Sequence, residues 1–181
     1  MTRFDRQRLV GTWQLARWYI TYEDGSVTEP LGPAAVGLLV YTPDGWMSAQ
    51  LMTADRPRLS RRNPRAAPVA ERAAAFDTFF GYCCRWRVVG QAVEHHVTIS
   101  HNPALVGTVQ VRNIEMKGRM LTLSAIEPVP GGARVHRLQW RPAQAPSARS
   151  PRRSGAKRSE PQINSPPVRP ARRGPTARKR V

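Results

Sequence analysis

The sequence predicts an all-β domain, a small closed barrel of about eight antiparallel strands accompanied by one helix. Apolar and β-branched residues recur in short runs between Leu9 and Trp140, and such runs are typical of strands. Short segments with glycine or proline separate most of the runs, and connections of this kind join antiparallel neighbours. Closing the sheet into a barrel pairs every strand on both sides, so that no strand edge stays exposed.

The predicted strands fall into two groups, separated by a segment of different character. The first group comprises 9–22, 36–42 and 46–53. The second comprises 82–89, 92–100, 107–117, 119–126 and 133–140. The connecting segments include EDGS, TPDG, VVGQ, MKGR and PVPGG. Glycine supplies a positive φ in such turns and proline presets a turn corner.

The segment between the two groups predicts a long loop and a helix. In VAERAAAFDTFFGY at 69–82, Val69, Ala73, Phe76 and Phe80 are spaced for one face of a helix that ends near Gly81. The preceding segment, TADRPRLSRRNPRAAP at 53–68, is rich in arginine and proline. Loops of this length in compact domains often serve as lids or binding loops.

The positive charge of the chain is unevenly distributed and marks a domain boundary. The formal net charge is +17 over 181 residues, and residues 142–181 contribute +10 through eleven lysine or arginine residues and one acid, Glu160. These residues include eight of the 17 prolines and no aromatic residue, so they cannot bury enough apolar surface to offset their ordering entropy. The sequence predicts a barrel domain at 1–141 and a disordered Arg/Pro-rich tail at 142–181.

The basic tail allows weak, non-specific binding of nucleic acid as one hypothesis. Clustered cations bind phosphates with strong salt dependence, but the tail has neither aromatic residues for base stacking nor a recognition-helix motif. A solvated run of charge is the simpler interpretation. The bias toward Arg, Pro, Ala, Ser and Gly is also what GC-rich codons give when read out of frame, so a frameshifted end is a further alternative.

Composition argues against several other classes of protein and favours a cytoplasmic location. No stretch approaches the ~20 apolar residues of a membrane-spanning helix, and MTRFDRQRLVGTW lacks the apolar core of a secretory signal. Cys83 and Cys84 are the only cysteines, which excludes a disulfide framework and a CxxC metal site. We expect no metal, no cofactor and no membrane partner, and the oligomeric state stays open.

Several segments, in their order and spacing, resemble the lipocalin-like domain family, bacterial and fungal relatives of the calycin barrels. The resemblance rests on LVGTWQL at 9–15, VGLLVYTPDGWMSAQLM at 36–52, AAAFDTFFGYC at 73–83, VEHHVTIS at 93–100, and VGTVQVR with GRMLTLS within 106–124. It implies an eight-stranded antiparallel up-and-down lipocalin-like barrel with one helix over an end, and Trp13 packed across the closed end. It also implies small-molecule binding, or an accessory or isomerase-type role in secondary metabolism.

The candidate ligand-binding residues are Tyr41, Gln50, His95, Gln110 and Arg112. On 107–117, Gln110 and Arg112 share a face with Ile114 and Met116, and that face is predicted to point into the barrel. A buried arginine is costly unless it is paired. Arg112 therefore anchors a carboxylate or enolate ligand, forms an internal salt bridge, or lies at the rim.

The other candidates lie on three further strands. His95 shares a face with Val97 and Ile99, so it is the predicted interior histidine, either an acid–base group or a hydrogen-bonded core residue. Tyr41 shares a face with Gly37 and Leu39 on strand 36–42, and it either presents its hydroxyl to a ligand or packs in the core. Gln50, on strand 46–53, is the fifth candidate ligand-binding residue. No catalytic residue is assigned.

These observations favour a binding protein for a small, largely apolar molecule with a polar or anionic head, held in the barrel cavity. The alternative is a cofactor-free isomerase or cyclase of secondary metabolism that uses the same cavity. The two differ in whether an acid–base pair, His95 with Tyr41 or Arg112, converges there. Tail-mediated binding of nucleic acid is the third hypothesis.

Overall fold

The computed structural model describes residues 3–144, which form a closed antiparallel barrel. Within this part of the chain there are nine strands and one α-helix: β1 (Gly11–Tyr22), β2 (Val27–Thr28), β3 (Val36–Tyr41), β4 (Trp46–Met52), α1 (Val69–Asp77), β5 (Phe79–Val89), β6 (Ala92–Ser100), β7 (Val109–Lys117), β8 (Met120–Val129) and β9 (Gly132–Pro142). The predicted tail lies almost entirely outside the described residues. With nine residues, α1 is too short to cross a membrane.

Eight of the strands follow one another around the barrel. β1 pairs with β3, each strand from β3 to β8 pairs with the next, and β9 pairs with β1 to close the sheet. All of these pairings are antiparallel. The short β2 pairs with the end of β1. The predicted eight-stranded antiparallel up-and-down barrel with one helix is therefore confirmed.

The helix is shorter than its periodicity predicts. α1 ends at Asp77 and β5 begins at Phe79, so the prediction that Phe80 belongs to the helix and that the helix ends near Gly81 was wrong. Phe80 instead pairs with Leu51 of β4. Pairing along the whole length of β4 gives hydrogen-bond partners to the backbone N–H and C=O groups of this segment. The free energy gained from this pairing outweighs the local preference for a helix.

A β-bulge in β6 changes one predicted side-chain direction. Cys83 pairs with Ile99 and Cys84 with Val97, so that Thr98 is an extra residue on β6. Val97 is buried, as alternation predicts, but Ile99 is 67% exposed. The expectation that Ile99 shares the inward face of His95 was wrong, because one inserted residue reverses the alternation beyond it.

The N-terminal segment covers one end of the barrel. Phe4 N donates to Gly90 O, and Arg6 Nη2 donates to Pro43 O, so the segment reaches the β5–β6 and β3–β4 turns. Trp13 is buried within the core at this end. Its Nε1 donates to Leu9 O at 2.8 Å. We call this the closed end, and Trp13 packs there as the resemblance implies.

Candidate ligand-binding site

A cavity of about 790 Å³ occupies the other half of the barrel. This volume lies in the range of small-molecule sites, roughly 300–1,000 Å³. Most of its inner wall is apolar, with side chains contributed by six strands and by the β6–β7 connection: Trp18, Leu39, Ala49, Leu51, Phe80, Leu105, Leu123, Leu138 and Trp140. The cavity opens at the end that carries the β4–β5 and β6–β7 connections, which we call the open end.

The register between β6 and β7 aims two polar side chains into this cavity. His95 pairs with Gln110, and Val93 pairs with Arg112. Val93 and His95 are both fully buried, and directly paired residues lie on the same face of a sheet. Gln110 and Arg112 therefore face inward and line the cavity.

The Arg112 guanidinium has only neutral hydrogen-bond partners. Its Nη1 donates to Val111 O at 2.9 Å and its Nη2 to Gln110 Oε1 at 3.4 Å. No ion pair within residues 3–144 includes Arg112. The internal salt bridge that the sequence left open is therefore not formed in this part of the chain, and the Arg112 guanidinium has no carboxylate partner among the described residues.

The Glu127 carboxylate, which lines the cavity, is already paired. Glu127 receives two hydrogen bonds from Arg134, at 2.7 and 2.9 Å, and one contact from His136 Nε2 at 2.7 Å. The hydrogen bonds from Arg134 lower the pKa of Glu127 to about 2, with His136 contributing in the same direction. We call these three residues the mouth cluster. Because its acid is paired, the cluster does not supply a counter-charge for Arg112.

His95 is held between two tyrosine hydroxyls. Its Nε2 lies 2.7 Å from the Tyr41 hydroxyl and its Nδ1 lies 2.8 Å from the Tyr82 hydroxyl. Burial, assisted by the charges of Arg112 and His96, lowers the pKa of His95 to about 3, so the ring is neutral at neutral pH. Burial also raises the pKa of Tyr82 to about 12 and the pKa of Tyr41 well above its usual value. We call these three residues the histidine relay.

Comparison with known protein families agrees with this architecture. The model of the lipocalin-like domain matches residues 10–142, which cover all eight barrel strands. The chain belongs to the lipocalin-like domain family. No protein of curated function matches it.

The lipocalin-like cavity gathers three of the five predicted ligand-binding residues, namely His95, Gln110 and Arg112. Tyr41 stands behind His95 and is not part of the cavity wall. Its hydroxyl reaches the site only through the imidazole. The predicted face assignments on β3, β6 and β7 are thus correct at these four positions.

Gln50 lies outside the cavity. The cavity wall of β4 is formed by Ala49 and Leu51, and alternation turns Gln50 to the outer face. There its Nε2 donates to Ser48 Oγ at 3.1 Å. The structure therefore does not bring Gln50 together with the other predicted residues, because the face it shares with Ser48 points away from the barrel axis.

Two parts of the site were missed from sequence. Tyr82 was predicted to begin the strand at 82–89 but was not named as a candidate, because its inward direction depends on the β4–β5 register, which pairs it with Ala49. The mouth cluster could have been predicted from the sequence. Glu127 and Arg134 face each other across the β8–β9 hairpin, and opposite charges at paired positions attract. Among residues 3–144, no three side chains of His, Cys, Asp or Glu come together to hold a metal.

Proposed function

We propose that this lipocalin-like protein binds a small, largely apolar molecule with an anionic head, and that Arg112 receives the head inside the cavity. The observation that carries the proposal is a guanidinium in the cavity wall whose partners in residues 3–144 are all neutral. Removing a charge from water without a counter-ion is unfavourable. An anionic ligand provides the missing counter-ion.

The rest of the cavity supports an apolar ligand body. Leucine, phenylalanine and tryptophan side chains form most of the inner wall, and burying apolar ligand surface against them is favourable. The mouth cluster does not oppose an anion, because Arg134 and His136 both contact the Glu127 carboxylate. Among the described residues, the carboxylate that lines the cavity is therefore paired and does not repel an anionic molecule that enters at the open end.

The isomerase or cyclase alternative has weaker support. Both nitrogens of His95 already contact tyrosine hydroxyls, and a base whose pKa is about 3 accepts protons poorly near neutral pH. The nucleic-acid hypothesis depends on residues outside the described part of the chain. It remains a prediction that removal of the tail tests directly.

A matched pair of fluorescent probes tests the role of Arg112. 8-Anilinonaphthalene-1-sulfonate and N-phenyl-1-naphthylamine share their aromatic rings, and only the first carries an anionic group. Arg112→Met keeps an unbranched apolar side chain in place of the arginine stem and removes the charged guanidinium. We expect the variant to lose about 2–5 kcal/mol of binding free energy for the sulfonate, while its affinity for the uncharged amine is unchanged. Fluorescence titrations of the full chain measure both affinities.

Arg119→Met is the control, because Arg119 is an exposed residue of the β7–β8 turn and the substitution removes the same charge. It should leave both affinities unaltered. In thermal melts without probe, Arg112→Met should be as stable as the parent or slightly more stable, since a partly buried charge without a counter-ion has been removed. The proposal fails if Arg112→Met unfolds readily while the sulfonate affinity per folded molecule is unchanged.

A further inference from the structure

In the histidine relay, the two tyrosine hydroxyls cannot both play the same role toward His95. A neutral imidazole has one N–H donor and one nitrogen lone pair. One tyrosine must therefore donate to His95, while the other accepts from His95 and keeps its own O–H for a third group. The positions of Tyr41 and Tyr82 decide which tyrosine has that free O–H.

The two hydroxyls differ in what surrounds them. Tyr41 is 1% exposed, does not line the cavity, and has His95 as its hydroxyl's partner within residues 3–144. If Tyr41 accepted from His95, its own O–H would be buried without an acceptor, which is costly. Tyr82 lines the cavity, so its O–H can reach a molecule bound there.

We propose that Tyr41 donates to His95 Nε2, that His95 Nδ1–H donates to the Tyr82 oxygen, and that Tyr82 thereby offers its O–H to the bound ligand. This inference rests on the proposed function and names the ligand class more closely. The ligand is an apolar anion that carries a second hydrogen-bond acceptor, such as a keto oxygen. Arg112 receives the anionic head and Tyr82 receives the second oxygen.

The two recognition groups are neighbours in the cavity. Arg112 pairs with Val93, two residues from His95 on β6, and its charge opposes the effect of burial on the pKa of Tyr82. The amide of Gln110 is already engaged, since its oxygen accepts from Arg112 and its Nε2 donates to Thr108 Oγ1 at 2.9 Å. Arg112 and the Tyr82 O–H are both donors, and a ligand rich in acceptors matches them.

Two indoles of the cavity wall have buried nitrogens that no described protein group satisfies. Trp18 and Trp140 line the cavity, and their Nε1 atoms have no hydrogen-bond partner among the described residues. An indole nitrogen is a donor only.

Matched pairs of rigid acids test the second recognition point. Fluorene carboxylates and 9-fluorenone carboxylates differ by a single keto oxygen, and the 1-, 2- and 4-carboxylates place that oxygen at different distances from the acid. Isothermal titration of the full chain should show that, in at least one pair, the ketone binds more tightly. Tyr82→Phe should weaken binding of that ketone about 3- to 10-fold and leave its fluorene counterpart unchanged.

Tyr19→Phe is the matched control, because the Tyr19 ring lies under Arg17, outside the set of cavity residues. It should preserve the ketone preference. Equal binding of ketone and fluorene in all three pairs, or a preference that survives in Tyr82→Phe, overturns the inference. If Arg112→Met leaves the affinity for every acid unchanged, the proposed function fails as well. Loss of acid binding in Arg112→Met with no effect of Tyr82→Phe leaves the proposed function intact and overturns only the relay.

The protonation of His95 gives a readout that does not depend on a ligand. ¹⁵N NMR of the imidazole in the full chain distinguishes a protonated from an unprotonated ring nitrogen. We expect Nδ1 to carry the proton and Nε2 to be unprotonated. A proton on Nε2 would reverse the relay, commit the Tyr82 O–H to Nδ1, and overturn the inference.

Discussion

The two ends of the barrel use tryptophans of the same strand in different ways. Trp13 lies at the closed end, where its Nε1 donates to Leu9 O. Trp18 lies further along β1, lines the cavity, and has a buried Nε1 without a partner in residues 3–144. The difference comes from the N-terminal segment, which crosses the barrel only at the closed end and supplies the carbonyl that Trp13 needs. The same strand therefore contributes to the packed core where the N-terminal segment covers the barrel, and to the cavity wall where it does not.

The charged groups show the same contrast. At the closed end, Arg6 donates to Pro43 O and lies 4.5 Å from the centre of the Trp86 ring, so the cation has both a carbonyl and an aromatic face. In the cavity, the partners of Arg112 among the described residues are the Val111 carbonyl and, at a longer distance, Gln110. A cation that has both hydrogen-bond and aromatic partners within the protein stabilises packing. A cation that lacks some of these partners is suited to binding a ligand.

The largest effect is expected from removing the Trp13 side chain at the closed end. Trp13→Ala should lower the free energy of unfolding by about 3–5 kcal/mol, because it removes a large buried aromatic side chain. Trp18→Ala should cost less, about 1–3 kcal/mol, since one side of the Trp18 ring already faces the cavity. Chemical denaturation of both variants measures the difference. Equal costs would show that the two ends are packed alike.

A smaller, pH-dependent effect is expected at the open end. The folded-state pKa of Glu127 is lowered from 4.5 to about 2, so its pairing stabilises the fold above the unfolded pKa and this contribution is lost as the pH falls toward the folded value. Glu127→Gln should cost about 0.5–1 kcal/mol near neutral pH, a modest value because the side chain is 44% exposed.

Thermal melts of Glu127→Gln and the parent at about pH 6 and about pH 3 check this dependence. The difference between the two proteins should shrink at the lower pH. Glu115→Gln removes an acid that pairs with Lys117 on an exposed surface and serves as the control. A Glu127 difference that is the same at both pH values would contradict a stabilising role for the carboxylate charge.

The smallest effect is expected from removing the tail. Ala143 N donates to Thr12 O, and β9 pairs with β1 as far as Pro142, so the closed end is complete by Gln144. Truncation after Gln144 should shift the melting temperature by less than about 5 °C, which corresponds to roughly 1 kcal/mol in a domain of this size. A larger drop would mean that residues 145–181 contribute to the stability of the barrel.

The barrel and the inward direction of its central residues could be predicted from sequence. Alternation of apolar residues, with glycine and proline at the turns, was enough for the strands and for the faces of Tyr41, His95 and Arg112. These are local properties, because the period of a strand is set by its own backbone. The same reasoning failed at Phe80 and Ile99, where strand pairing and an inserted residue changed the local pattern.

Only the tertiary structure decided which groups meet. The histidine relay joins Tyr41 to His95 across 54 residues of sequence and Tyr82 to His95 across 13, and those contacts depend on the register of four strands. The lack of a carboxylate partner for Arg112 in residues 3–144 has the same origin, since Glu127 lies opposite Arg134 on the neighbouring strand. Alternation along a strand specifies a face, whereas register between strands specifies a partner, and the proposed chemistry of this cavity depends on partners.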